Sequence, residues 1–133
     1  MVNEKETILS VRDLQVTFGS GKKAFTAVQD VNFDVYKGET FSLVGESGSG
    51  KTTIGRAIIR INPATKGEIY FKDKKISGKI SKELDKWVVR NIQMVFQDPY
   101  SSLNPRMTIE DIIGEPLDVH KLYTNRKERR EKI

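Results

Sequence analysis

Apolar and polar residues alternate along two stretches near the start of the chain. Leu14, Val16 and Phe18 alternate at the end of the segment running from Ile8, and Val31, Phe33 and Val35 alternate with Asn32, Asp34 and Tyr36. Period-two patterning of this kind predicts two half-buried antiparallel strands. Gly19 to Lys23 reads as the turn between them, and Lys37-Gly38-Glu39 as the turn that follows. The continuous apolar run Phe41-Ser42-Leu43-Val44 predicts a buried strand. From Thr52 the period changes to that of a helix, with Ile54, Ala57 and Ile58 on one face, ending in the Asn62 to Gly67 segment. A short strand is expected over Glu68 to Lys72 and a helix from Ser81 to about Val88, with Trp87 a core anchor. A further strand is expected over Ile92 to Phe96. Thr108 with Asp111, and Asn125 with Glu128, carry the spacing of helix N-termini. Antiparallel strands followed by strand, turn and helix imply an α/β protein with a β-rich flank.

Between the expected strand at 41–44 and the helix lies Gly-Glu-Ser-Gly-Ser-Gly-Lys-Thr-Thr at 45–53, a complete G-x-x-x-x-G-K-[ST] loop. A polyphosphate needs donors at close range, and backbone N–H groups reach it only where side chains stand clear. Gly45, Gly48 and Gly50 supply that clearance. The helix N-terminus behind the loop favours the same anion. Lys51 is placed to set a charge between the β- and γ-phosphates, Thr52 to give its hydroxyl to Mg²⁺, and Thr53 to donate to the α-phosphate. Glu46, Ser47 and Ser49 complete the loop, the two serines mainly through their backbone N–H groups.

Size and composition bound this reading. The chain has 133 residues, 37% apolar and 31% charged, which suits one small globular domain. There is no Cys, so no disulfide or thiolate metal site is available, in keeping with a reducing compartment. The charged N-terminus, Met1 to Thr7, is followed by no long apolar run, so neither a secretory signal nor a spanning helix is expected and any membrane role is peripheral. The net charge of +5 is partly local: Lys121, Arg126, Lys127, Arg129, Arg130 and Lys132 crowd the last thirteen residues. Glu128 and Glu131 interrupt that run, which favours a solvated helix face over a nucleic-acid contact.

Two further positions carry candidate chemistry. Phe18 sits at a strand end 27 positions before Gly45; spacing alone favours a core residue over a platform for a base. Gln97 lies 46 positions after Lys51 at the end of an expected strand, where ligands of open α/β sheets gather, although spacing alone favours a plain polar strand-end residue. Asp111-Ile112-Ile113-Gly114 matches the Asp-x-x-Gly of GTPases, but no Asn/Thr-Lys-x-Asp accompanies it and the isoleucines look like a helix face.

The loop at 45–53, Gly67-Glu68-Ile69-Tyr70-Phe71, and above all the run from Val95 through Phe96-Gln97-Asp98-Pro99-Tyr100-Ser101-Ser102-Leu103-Asn104-Pro105 to Thr108 resemble the ATP-binding subunits of oligopeptide and dipeptide ABC importers, in their F-type branch. The likeness runs from about Ile8 to Pro116. It implies a phosphate-loop NTPase fold of the ABC nucleotide-binding type, with an N-terminal antiparallel β-subdomain, cut before the family's signature Leu-Ser-Gly-Gly-Gln and Walker B segments. Within 1–133 it implies a β-subdomain and phosphate-loop core over 8–97, and the glutamine loop with the start of a helical subdomain over 98–133.

By the same resemblance Phe18 stands where the family, commonly with Tyr, stacks adenine. Gln97 becomes the glutamine that positions Mg²⁺ and water, and the stretch after it, through Glu115, couples to transmembrane permease subunits. A second ATPase subunit in a head-to-tail dimer, an indirect link to a peptide-binding protein, no nucleic acid, and a peripheral place on the cytoplasmic face of the plasma membrane are implied likewise. Neither the signature, nor an apolar strand ending in Asp-Glu, nor a later switch histidine occurs in the chain, and His120 is incidental. The expectation is therefore that these residues bind Mg-ATP with little turnover. The other readings are the ATPase subunit of another importer, for dipeptides or nickel, and a non-catalytic nucleotide-binding module.

Overall fold

The structure, a computed structural model, describes residues 5–133; the first four residues of the charged N-terminal stretch lie outside it. The chain forms two compact units, one running to Met94 and the other from Val95 to Ile133.

In the first unit the alternating segments form two long strands, β1 (Thr7–Phe18) and β2 (Phe25–Tyr36), paired antiparallel and joined through a short 3₁₀ turn at Gly21–Lys23. β3 (Lys66–Phe71) pairs with the other side of β1, and β4 (Lys74–Lys75) with β3, giving the order β2-β1-β3-β4. Val11, at the centre, faces Phe33 on one side and Ile69 on the other. The strict alternation of β1 is broken by a bulge. Asp13 takes φ +47, its N–H donates to Asn32 Oδ1 at 2.9 Å, and the register shifts between Val11 and Leu14. That shift lets Val11, Leu14 and Val16 all reach the core. Gly67, at φ +88, faces the bulge, where a Cβ would strike the carbonyls of Arg12 and Asp13.

Helix α1 (Lys51–Ile58) lays Ile54 and Ala57 on this sheet, and α2 (Lys82–Asn91) adds Val88. Ser81 caps α2, its hydroxyl accepting from Leu84 N–H at 3.2 Å. Trp87 packs at the edge of the core, its ring 5.3 Å from that of Phe71. Each fully buried aliphatic side chain here, such as Leu14, Ile69 or Ile76, contributes about 1.5–3 kcal/mol. The buried Ser77 is satisfied, its Oγ accepting from Ile69 N–H at 3.0 Å.

Two expected strands are not strands. Residues 41–44 and 92–96 join no ladder, although Ile92 keeps extended dihedrals. A buried central strand exists only between neighbours that take up its N–H and C=O groups, and the sheet of the described residues supplies none at either segment. Val44 is 95% exposed and Val95 97%, whereas Ile92 packs against the edge of the core.

The second unit is helical: α3 (Pro99–Ser102), α4 (Ile109–Val119) and α5 (Arg126–Lys132). Both expected N-termini are present. Thr108 Oγ1 accepts from Asp111 N–H at 3.2 Å, and Asn125 Oδ1 from Glu128 N–H at 3.0 Å. Asp111 to Gly114 fall inside α4, as the helix-face reading required. Arg129 of α5 makes a two-pronged bond to Asp118 of α4, at 2.6 and 2.9 Å, and its guanidinium lies over the buried Gly114. Among the described residues no helix is long and apolar enough to cross a membrane.

Candidate functional site

The loop at 45–50 leads directly into α1, which begins at Lys51 as the pattern required. Gly50 is the helix cap, left-handed at φ +98, and a Cβ there would strike the Val28 side chain and come within 3.0 Å of the Ala27 carbonyl oxygen. The loop is therefore seated against β2 at a point where only a glycine fits. Ser49 N–H donates to Glu46 C=O at 3.1 Å, closing a turn at the loop's crown. Ile54 N–H to Gly50 C=O at 3.0 Å closes the first turn of α1, while the N–H groups ahead of it point outward from the helix start.

Lys51 organises this turn from within. Its ammonium donates to the carbonyl oxygens of Gly45 at 2.6 Å and Glu46 at 2.8 Å, and to Ser49 Oγ at 3.2 Å. One cation thus gathers both ends of the loop around itself. Thr52 is exposed at the helix start, Thr53 half-buried one position on, and Glu46 and Ser47 are exposed at the crown. The structure brings Gly45, Glu46, Ser47, Gly48, Ser49, Gly50, Lys51, Thr52 and Thr53 together as one turn on a helix N-terminus. Cationic, donor-rich and free of bulky side chains, it suits a polyphosphate.

Phe18 is not a core residue: it is 41% exposed at the end of β1. Its partner across the sheet is Phe25, 64% exposed at the start of β2. Phe25 is two to three residues from Ala27 and Val28, the residues that seat Gly50, or about 7–10 Å along the strand. Sequence reasoning missed Phe25 because its neighbours do not alternate. The available signal was an aromatic residue just after a Gly-rich turn that already followed another aromatic.

Gln97 belongs to the second unit and is exposed on an irregular stretch rather than at a strand end. Its neighbour Asp98 caps α3, accepting from the N–H groups of Tyr100 at 3.0 Å and Ser101 at 3.3 Å. The backbone N–H of Ser101 foremost, then its hydroxyl, holds the Asp98 carboxyl below the usual carboxylate range. Tyr100, 91% exposed, and Leu103 stand open on the segment that follows.

Comparison with known proteins agrees with this geometry. The chain is 53% identical over 128 residues to the oligopeptide transport ATP-binding protein AmiF of Streptococcus pneumoniae, and 48% identical to OppF, the oligopeptide transport ATP-binding protein of Bacillus subtilis. Each match covers 96% of the chain but only 42% of the relative's length. A solved dimer of an ATP-binding cassette in a post-hydrolysis state, bound to ADP and Pi, superposes with a TM-score of 0.75 at 27% identity, covering 93% of this chain and 53% of that one. The fold is that of an ABC nucleotide-binding domain. With the ABC transporter family model matching residues 28–133, most of its length, the chain belongs to the ABC transporter family.

Proposed function

We propose that this chain supplies the nucleotide-gripping portion of the ATP-binding subunit of a peptide ABC importer. The observation that carries the reading is the Lys51 cradle: three oxygens of the loop converge on one ammonium at a helix start. Backbone N–H groups of the loop and of the first turn of α1 receive the phosphates, Lys51 exchanges its loop oxygens for those of the β and γ groups, and Thr53 reaches the α group. Phe18, with Phe25 beside it, offers a flat apolar surface for adenine.

Mg²⁺ fits this donor set. Among the described residues no cluster of three or more His, Asp or Glu could cage a metal, and Mg²⁺ typically takes few protein ligands, keeping water and phosphate oxygens. The exposed Thr52 hydroxyl would hold it, with Gln97 as the second protein ligand carried over from the family. Bound there, the ion supplies charge neutralisation between phosphate oxygens.

Within the 133 residues we assign 8–97 to the β-subdomain and phosphate-loop core, and 98–133 to the glutamine loop and the start of a helical subdomain. The segment after Gln97, with Tyr100, Leu103 and Ile109 exposed, is the surface for transmembrane permease subunits on the cytoplasmic face of the membrane. A second ATPase subunit completes each nucleotide site, and a peptide-binding protein delivers the cargo. The open backbone at 41–44 and 92–96 supports a subunit whose central sheet draws strands from outside these residues. Because the chain carries neither the signature nor an Asp-Glu strand, it binds nucleotide without sustained turnover.

Titration with a fluorescent ATP analogue tests the reading. The chain binds in the presence of Mg²⁺ and Lys51→Ala loses most of that affinity; equal binding by the two proteins would refute it.

A further inference from the structure

Helix α1 ends in a Schellman motif: Ile61 N–H donates to Arg56 C=O at 2.9 Å and Arg60 N–H to Ala57 C=O at 3.1 Å. The residue at the left-handed position of such a motif is usually Gly. Here it is Arg60, at φ +65, a conformation unfavourable for a residue with a Cβ. Its side chain is fully engaged. The guanidinium donates to the carbonyl oxygens of Ile76 and Gly78, the latter at 3.0 Å, and through Nε to Asp85 Oδ1 at 3.2 Å. These partners lie on the β4–α2 connection and on α2 itself. Directed polar bonds to three partners hold the guanidinium.

α1 is a rod of eight residues, about 12 Å long, that rests on the core through the buried Ile54 and Ala57 and the partly buried Ile58. Apolar contacts are non-directional and do not by themselves fix the roll or tilt of so short a rod. A tilt at the Arg60 end is carried along the rigid helix to the Lys51 end. We infer that Arg60 is a positioning residue for the phosphate site, pinning the far end of α1 so that Lys51 and the first-turn N–H groups stay in register with the polyphosphate. This rests on the nucleotide reading given above and adds to it a residue remote from the loop.

The test is the affinity of Arg60→Gly for Mg-ATP and for AMP, measured well below the melting temperature, with hydrogen exchange at the amides of residues 49–54. Glycine is at ease at φ +65, so this variant keeps the backbone and loses only the pin. Its Kd for Mg-ATP rises roughly 5–10-fold, its preference for ATP over AMP falls, and exchange at the loop accelerates. Asp85→Asn, which weakens one of the three bonds, shows the same changes to a smaller degree. A folded Arg60→Gly with an ATP affinity within about twofold of the parent and unchanged exchange overturns the inference. Should Arg60→Gly fail to fold, parent-like binding and exchange in Asp85→Asn overturn it instead. A folded parent that does not bind Mg-ATP overturns the nucleotide reading and this inference together, whereas a parent that binds beside indifferent variants overturns the inference alone.

Discussion

The ammonium of Lys51 sits 2.6 Å from the carbonyl oxygen of Gly45, six residues earlier, so this cation also sets the width of the mouth of the glycine-rich loop. Its role is then geometric as well as electrostatic. Lys51→Arg keeps the charge but replaces a compact ammonium by a planar fork that cannot meet three converging oxygens. Mg-ATP affinity is expected to fall at least tenfold, or about 1.4 kcal/mol, in this variant. Parent-like binding in an isothermal titration would mean that charge alone suffices.

Two glycines separate the seat of the loop from the scaffold beneath it. Gly50→Ala forces a Cβ into Val28 at φ +98, while Gly67→Ala drives one into the Asp13 bulge at φ +88. Each is expected to cost about 2–4 kcal/mol, from left-handed strain plus overlap with fixed neighbours. Urea unfolding followed by the single Trp, Trp87, reads both losses. Only Gly50→Ala should also weaken nucleotide binding in the folded protein at saturating stability. Equal effects of the two on Kd would show that the loop is not specifically seated by Gly50.

Exposure distinguishes two apolar residues four positions apart on β1. Leu14 is fully buried, and Leu14→Ala is expected to lose about 3 kcal/mol of stability through a core cavity. Phe18 is exposed beside Phe25, and Phe18→Ala should change stability by less than about 1 kcal/mol. Loss of base stacking in the same variant should lower ATP affinity by about tenfold while sparing inorganic triphosphate. An unchanged ratio of ATP to triphosphate affinity would remove Phe18 from the site.

Much of this was legible in the sequence because local signals and tertiary structure agree. The loop with α1, the two long strands, Ser81 as a cap, and the Thr108 and Asn125 helix starts all depend on residues close together in the chain. The segments at 41–44 and 92–96 failed as strands for a different reason. Apolar runs record a preference for burial, but a strand also needs partners, and no pattern within the segment reports whether these are present. The Asp13 bulge with Gly67 and the pairing of Phe18 with Phe25 are likewise products of distant register. They could be seen only once the strands were paired.

The end of the chain should respond to acid. The ammonium of Lys132, at 2.8 Å, followed by the Thr124 hydroxyl and backbone N–H, lowers the Glu128 carboxyl from its ordinary 4.5 to about 2. A carboxyl lower in the folded than in the unfolded chain stabilises at every pH above the unfolded value, and that contribution disappears as pH falls through the folded one. The window is therefore pH 4.5 down to about 2. Above it, amide shifts of residues 124–132 in NMR spectra should be insensitive to pH. Within it, α5 should lose its N-terminal anchor at Thr124 and fray, leaving the Asn125 cap. Glu128→Gln should already show weaker protection of the Thr124 amide at neutral pH and lose the acid-dependent step. A wild-type step that persists unchanged in this variant would assign it to another carboxylate, with Asp118, held low chiefly by Arg129, the first to test by Asp118→Asn.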